Sequence, residues 1–260
     1  MKTRLWAACA WAAWALCFSF TTESALATVL YNGPAGTAPE TQGWLTFQSA
    51  GGTPLRITAG GKTMLDTSSD NNIQAGYGNY NLIFPVNPNF PALNRTDGFV
   101  VSLDMKLLSE SHASNDRSGV SLIALAQDLF GIEIAFWPNE VWVQSGPDFV
   151  HAEGSAFNTT TAILTYDVAI KNSSYTIFAN GNQILTGALR NYSSFGLPYS
   201  LPNFIFLGDD TTSARGSFEF SRLAVVPEPV GCVLFLAGLI VAWAPRPRIK
   251  RVGEGPTPRG

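Results

Sequence analysis

The sequence predicts an all-β fold, an antiparallel β-sandwich or jelly roll. Three observations carry the prediction. Alternation of apolar and polar residues dominates residues 28–226, and no window there holds a helical period. A strand–turn–strand–turn–strand unit fills residues 163–187. Gly- and Pro-rich stretches at 33–36, 51–54, 60–61, 85–91, 146–147 and 196–202 punctuate the rest.

Each element follows from its own pattern. In 97–109, Phe99, Val101, Leu103, Met105 and Leu107 take one face and Val100, Ser102, Asp104, Lys106 and Leu108 the other, the period of a half-buried strand. Residues 119–126, 131–137 and 140–144 are further β-rich runs, and Pro138-Asn139 marks a turn between the last two. Tyr166–Ile170, Tyr175–Ala179 and Asn182–Thr186 form successive strands. The first turn is the polar Lys171–Ser174. The second is Asn180-Gly181, a dipeptide that tolerates the positive φ angles of a type I′ hairpin. A last strand spans 216–226. No repeat period is present, and one domain fits best.

The ends read as export segments. Lys2 and Arg4, an apolar stretch from Leu5 to Phe20 and the small-residue site Ala25-Leu26-Ala27 make residues 1–27 a signal peptide; an uncleaved anchor is the alternative. At the other end, residues 227–260 form a tail. Pro227-Glu228-Pro229 precedes an apolar run over 230–244, expected as a short transmembrane helix, and a basic cluster of Arg246, Arg248, Lys250 and Arg251. Cys9, Cys17 and Cys232 all lie in these ends, so the 28–226 domain has no disulfide, thiol nucleophile or Cys-based zinc site. The whole chain has 46% hydrophobic residues, 13% charged and a net charge of −3. This mildly acidic balance excludes a nucleic-acid binder driven by bulk positive charge.

The three-part tail resembles the PEP-CTERM sorting signal of Gram-negative bacteria, although Val252 to Gly260 extends past the basic cluster. The resemblance implies an exosortase as processing partner, transient anchoring in the inner membrane, and delivery to the cell surface or an exopolysaccharide and biofilm matrix. An ordinary C-terminal membrane anchor is the alternative. Tyr175 to Leu185, with its Asn-Gly, resembles the laminin-G/concanavalin-A-like jelly-roll superfamily. Four segments, Gln42–Leu45, Ser109–Arg117, Gly131–Ile134 and Leu207–Thr212, resemble choice-of-anchor domains of type Y, for which no activity carries over.

Several groups are candidates for chemistry. Glu133 and Glu140 are the carboxylate pair a glycoside hydrolase or polysaccharide lyase would need. Glu110 with His112 and His151 with Glu153 each place an acid and an imidazole two residues apart, on one strand face. Asp209 and Asp210, in a Gly-flanked loop, are candidate calcium ligands, with an Asx-capped turn as the alternative. Asp116 is expected in a structural ion pair. Trp137 and Trp142, with Tyr77, Tyr80, Tyr192 and Tyr199 in loops, offer flat faces for sugars or plain packing. Glu110, His112, Glu133, Trp137, Glu140, Trp142, His151 and Glu153 therefore form the expected ligand groove. The functional expectation is a non-catalytic glycan-binding or structural module, with Ca2+ as its candidate cofactor; a polysaccharide hydrolase or lyase is the alternative.

Overall fold

A computed structural model of the chain describes residues 27–81, 84, 85, 87 and 90–227. The expected signal segment up to residue 26, Glu228 and Pro229 of the sorting motif, and the expected membrane helix at 230–244 lie outside the described residues. Among the described residues no helix is long and apolar enough to cross a membrane.

The described strands are β1 (Thr28–Asn32), β2 (Leu45–Gln48), β3 (Leu55–Ala59), β4 (Lys62–Asp66), β5 (Ala75–Gly78), β6 (Tyr80–Asn81), β7 (Phe84–Pro85), β8 (Phe99–His112), β9 (Ser121–Leu125), β10 (Phe130–Trp137), β11 (Glu140–Gln144), β12 (His151–Ala156), β13 (Leu164–Lys171), β14 (Ser174–Ala179), β15 (Asn182–Ala188), β16 (Arg190–Asn191), β17 (Phe204–Asp209) and β18 (Ala214–Pro227). The first sheet runs β15-β14-β13-β8-β18-β4-β3, with β1 added to β18 beyond the end of β4. The second runs β12-β11-β10-β9-β17-β5-β2, with β16 against β10. All pairings are antiparallel. The chain changes sheets between β1 and β2, β2 and β3, β4 and β5, β5 and β8 by way of the β6–β7 pair, β8 and β9, β12 and β13, β15 and β16, and β17 and β18, so the two sheets close on one core as a jelly-roll sandwich.

Period-two patterning builds that core. The β8 face of Phe99, Val101, Leu103, Met105 and Leu107 is buried, together with Val168 and Ile170 of β13 and Ile177 of β14. Opposite them lie Leu122 and Ala124 of β9, Ile132, Ile134 and Phe136 of β10, and Ile205 and Leu207 of β17. The β14–β15 hairpin turns at Asn180 and Gly181, whose φ angles are 48° and 76°. Asn180 also accepts a bond from the Thr165 N–H at 3.0 Å, fixing the turn to the neighbouring strand.

One buried polar node joins the two sheets. Asp209 ends β17 in the second sheet; Thr67 follows β4 and Gly216 lies in β18, both in the first. Thr67 Oγ1 is 2.6 Å from Asp209 Oδ2 and 3.1 Å from the Gly216 carbonyl, and the Gly216 N–H donates to it at 3.0 Å. The Thr211 N–H donates to the other Asp209 oxygen at 3.2 Å. Burial, opposed by the bonds from Thr67 and Thr211, pushes the Asp209 carboxyl up to about 8. The protonated form satisfies every group: its O–H donates to Thr67, which is then free to donate to Gly216.

A carboxyl bound more tightly to its proton in the native state weakens the fold as pH rises. For Asp209 the loss begins near its ordinary value of 3.8 and is complete once pH passes about 8. Asp209→Asn reproduces the protonated form, its amide N–H2 donating to Thr67 and its oxygen accepting from Thr211. Urea unfolding should find the variant equal to wild type at pH 4 and more stable at pH 9 by on the order of a few kcal/mol. A variant less stable at both pH values would show that the native network needs the ionised acid.

Candidate functional site: a roofed cavity on the second sheet

The outer face of the second sheet is organised in cross-strand rows. Gly208, Ser121, Ala135, Trp142 and Gly154 align across β17, β9, β10, β11 and β12. In the next row Phe206, Ile123 and Glu133 align, and in the third Phe204, Leu125 and Gly131. The apolar members of the last two rows are covered by Tyr192, Tyr199 and Leu201, which form a second buried cluster with Ile123, Leu125, Phe204 and Phe206. Phe149 packs edge-on against both Tyr192 and Tyr199. The row of small side chains is not filled in this way. There a cavity of about 170 Å3 remains, bounded by Arg117, Ser121, Glu133, Ala135, Trp142, Gln144, Phe149, Tyr199 and Asp210, among others.

The polar groups of the cavity are held from three directions. Glu133 projects from β10, is only 4% exposed, and takes a bond from the Tyr199 hydroxyl at 2.6 Å. The same hydroxyl lies 3.2 Å from Asp210 Oδ2. Tyr199 has one proton for two carboxylates, so one contact lacks a hydrogen unless an acid carries it. Both carboxylate oxygens approach the one hydroxyl, at 2.6 and 3.2 Å, so the two acids are close neighbours. Burial, then the nearby Asp210 charge, pushes Glu133 well above the usual carboxylate range, while Tyr199 and Arg117 offset part of the rise. Asp210 is raised by burial, with the Tyr199 bond opposing. Arg117 spends its Nη1 on the carbonyls of Asp116 and Phe149, at 2.6 and 2.8 Å, and stacks over the Phe149 ring. Trp142 is fully buried, yet its indole N–H has no hydrogen-bond partner.

Beside the cavity stands an aromatic ladder. Trp137 stacks with His112 at 4.1 Å between ring centroids and with His151 at 5.3 Å; Trp142 meets Trp137 at 5.2 Å and His151 at 4.4 Å. The Glu110 carboxylate bonds His112 Nδ1 at 3.0 Å and takes the Gly119 N–H at 3.3 Å; burial raises its pKa against these two partners. Glu140 Oε1 lies 3.3 Å from His151 Nε2, in space that a Cβ on Gly154 would occupy.

The structure thus gathers Glu110, His112, Trp137, Glu140, Trp142 and His151 in one ladder, with Trp142 shared between ladder and cavity. Glu133 lies in the cavity. Four sequence expectations are corrected. Glu153 stands apart, bonded to the Tyr175 hydroxyl at 2.5 Å and paired with Arg190; burial works to raise its pKa, but these partners hold it below the usual value. Glu133 and Glu140 share the outer face, but Glu140 pairs with Trp137, four residues from Glu133 and about 13 Å along the strand, so they do not face one another. Asp209 and Asp210 diverge because successive strand residues point to opposite faces: Asp209 to the inter-sheet node, Asp210 to the cavity. Asp116 accepts from the His151 N–H at 2.9 Å; its contact with Arg117 is through its carbonyl rather than as an ion pair. Among the described residues no cluster of three His, Cys, Asp or Glu is arranged to hold a metal ion.

Sequence reasoning missed the partnership of Tyr199, Asp210, Arg117 and Gln144 with Glu133. The available signal was the pair of small residues, Ser121 and Ala135, at facing positions of β9 and β10. Tyr199→Phe removes the bridging hydroxyl and leaves two buried acids without their shared donor. Denaturant unfolding should show a loss of about 1–3 kcal/mol; unchanged stability would show that the bridge carries no weight.

No protein-family model matches the chain, and no curated protein matches it. Among solved structures it is similar to a conserved carbohydrate esterase from the Shiga toxin-encoding bacteriophage phi24B, at 15% identity and a TM-score of 0.52 over 77% of this chain and 98% of that one. It is also similar to a protein of unknown function with a galectin-like fold from Bacillus subtilis (8% identity, TM-score 0.47, 77% and 96% covered) and to the Bacillus licheniformis β-glucanase (10%, 0.42, 76% and 98%). At such identities the likeness is one of fold.

Proposed function

We propose that this chain is an exported, surface-directed glycan-recognition module and that its ligand docks in the cavity of Glu133, Gln144, Trp142, Tyr199 and Asp210. One observation carries the reading: a small cavity on a sheet face combines aromatic walls with inward carboxyl, amide and hydroxyl groups. A sugar presents both apolar C–H faces and hydroxyls that donate and accept, and the cavity offers a counterpart to each. The carbohydrate esterase named above belongs to carbohydrate chemistry, which accords with this reading. Export and sorting rest on the 1–27 and 227–260 segments, with exosortase as the processing partner and an exopolysaccharide matrix as the destination.

A polysaccharide hydrolase is the second reading. The close approach of Glu133 and Asp210 favours it, since two acids near each other with raised pKas suit an acid and a nucleophile. The lyase form has no such support.

A glycan array, run with and without EDTA, tests binding and calcium together. Binding should be present, and Gln144→Ala with Glu133→Gln should weaken it at least roughly tenfold, the scale of losing a buried hydrogen-bonded pair. An array blank in both conditions sinks the glycan reading. Reducing-end release from the array-positive glycan separates binding from hydrolysis. For the export reading, mass spectrometry of the surface-associated protein should find an N-terminus at Thr28 and a chain shortened past Pro227. Intact termini would overturn it.

A further inference from the structure

The lining of the cavity divides by exposure. Ser121, Glu133, Ala135, Trp142, Gln144 and Tyr199 are buried, whereas Asp116, Arg117, Phe149 and Thr211 are half-buried. The half-buried four lie on segments tied to one another. Arg117 follows Asp116, donates to the Phe149 carbonyl at 2.8 Å and lies over the Phe149 ring. The Ala113 N–H donates to the Ser213 carbonyl at 2.9 Å, which sets the loop before Arg117 beside the loop that carries Thr211. The other sides are closed. The sheet itself, at Ser121 and Ala135, is the floor. Behind Trp142 stand Trp137 and His151, and beyond Tyr199 lies the covered apolar cluster. Among the described residues the cavity therefore has one mouth. Its rim is also fixed. Phe149 packs against Tyr192, Phe195 and Tyr199, and its loop is closed at the base by two bonds between Ser145 and Val150, at 2.8 and 3.0 Å.

We propose that the cavity receives the single residue at the non-reducing end of a glycan, entering end-on, and not a segment from the interior of a chain. The inference rests on the glycan reading and narrows it to one class of ligand. An interior residue carries a linkage on each side, so its chain must enter by one opening and leave by another. A cavity with one mouth offers no second exit. Size points the same way. Sites for drug-sized ligands span roughly 300–1,000 Å3. This one, at about 170 Å3, has room for one small ring. The end is the non-reducing one because its own linkage locks that ring in a single anomeric form. A reducing residue interconverts between forms, and a fixed rim would admit only a fraction of them.

The test uses a glycan array printed through reducing ends and probed with the full chain. The positive glycans should share one non-reducing terminal residue whatever follows it. Positives that share an interior sequence but differ at their ends overturn the inference. The methyl glycoside of the shared residue, added free, should displace the protein at millimolar concentration, since one ring carries the contacts. Failure to displace overturns it too, because several rings would then be needed. Two variants locate the binding. Ala135→Leu fills the floor, and Thr211→Trp narrows the mouth from a half-buried position. Each should weaken array binding at least roughly tenfold. Urea unfolding shows which variant is folded, and one folded variant suffices. Undiminished binding in a folded variant places the ligand elsewhere and overturns the inference. Positives read by their interiors leave the glycan reading standing; a blank array removes both.

Discussion

The apolar outer face of the second sheet is the constraint from which the site follows. Ile123, Leu125, Phe204 and Phe206 point away from the inter-sheet core, and left in water they would forfeit about 1.5–3 kcal/mol each. The segment after β16 folds back to cover them with Tyr192, Tyr199 and Leu201. Tyrosines can do this only if their hydroxyls are satisfied. Tyr192 donates to the Gln144 carbonyl at 2.7 Å, and Tyr199 reaches Glu133. The roof thus places a polar bridge at its own margin, above the row where Ser121 and Ala135 leave the floor low.

Much of this sandwich is legible in the sequence alone. The alternation in 97–109 assigned every inward residue of β8, and Asn180-Gly181 located a hairpin. The apolar runs of β9 and β10 were recognisable as strands, whereas β17 was not, because its end reads as a Gly-flanked acidic loop. The short strands β2 and β3 carry Thr46, Arg56 and Thr58 among their few apolar residues, a pattern too brief to separate from loop. At the site, sequence reasoning found Glu133, Trp137, Glu140 and Trp142 because they cluster within β10 and β11, and the two histidines because each has a Glu two residues away. It did not connect Tyr199 to Glu133. That contact spans 66 residues and depends on a loop folding onto a sheet, which no local period encodes. Asp209 and Asp210 show the opposite error: adjacency in the chain suggested a shared site, and strand geometry separates them.

Trp142 is the hinge between two chemistries. On one side it belongs to a stack of two indoles and two imidazoles, in which His112 is hydrogen-bonded to Glu110 and His151 lies beside Glu140. On the other it lines the cavity that holds Glu133 and Asp210. Glycine at 154 and alanine at 135 flank it across the sheet, so its ring is located by neighbours too small to cover it.

The position of β18 has a mechanical consequence. This 14-residue strand lies inside the first sheet, bonded along β8 on one side and along β4 and then β1 on the other, and its last residue, Pro227, pairs with Phe99. Tension applied to the chain beyond Pro227 would pull β18 along its own axis. The ladder bonds lie across that axis, so they would have to fail together in shear rather than peel one at a time. A domain held from this end is loaded through its most extensively paired strand, the geometry that best resists drag.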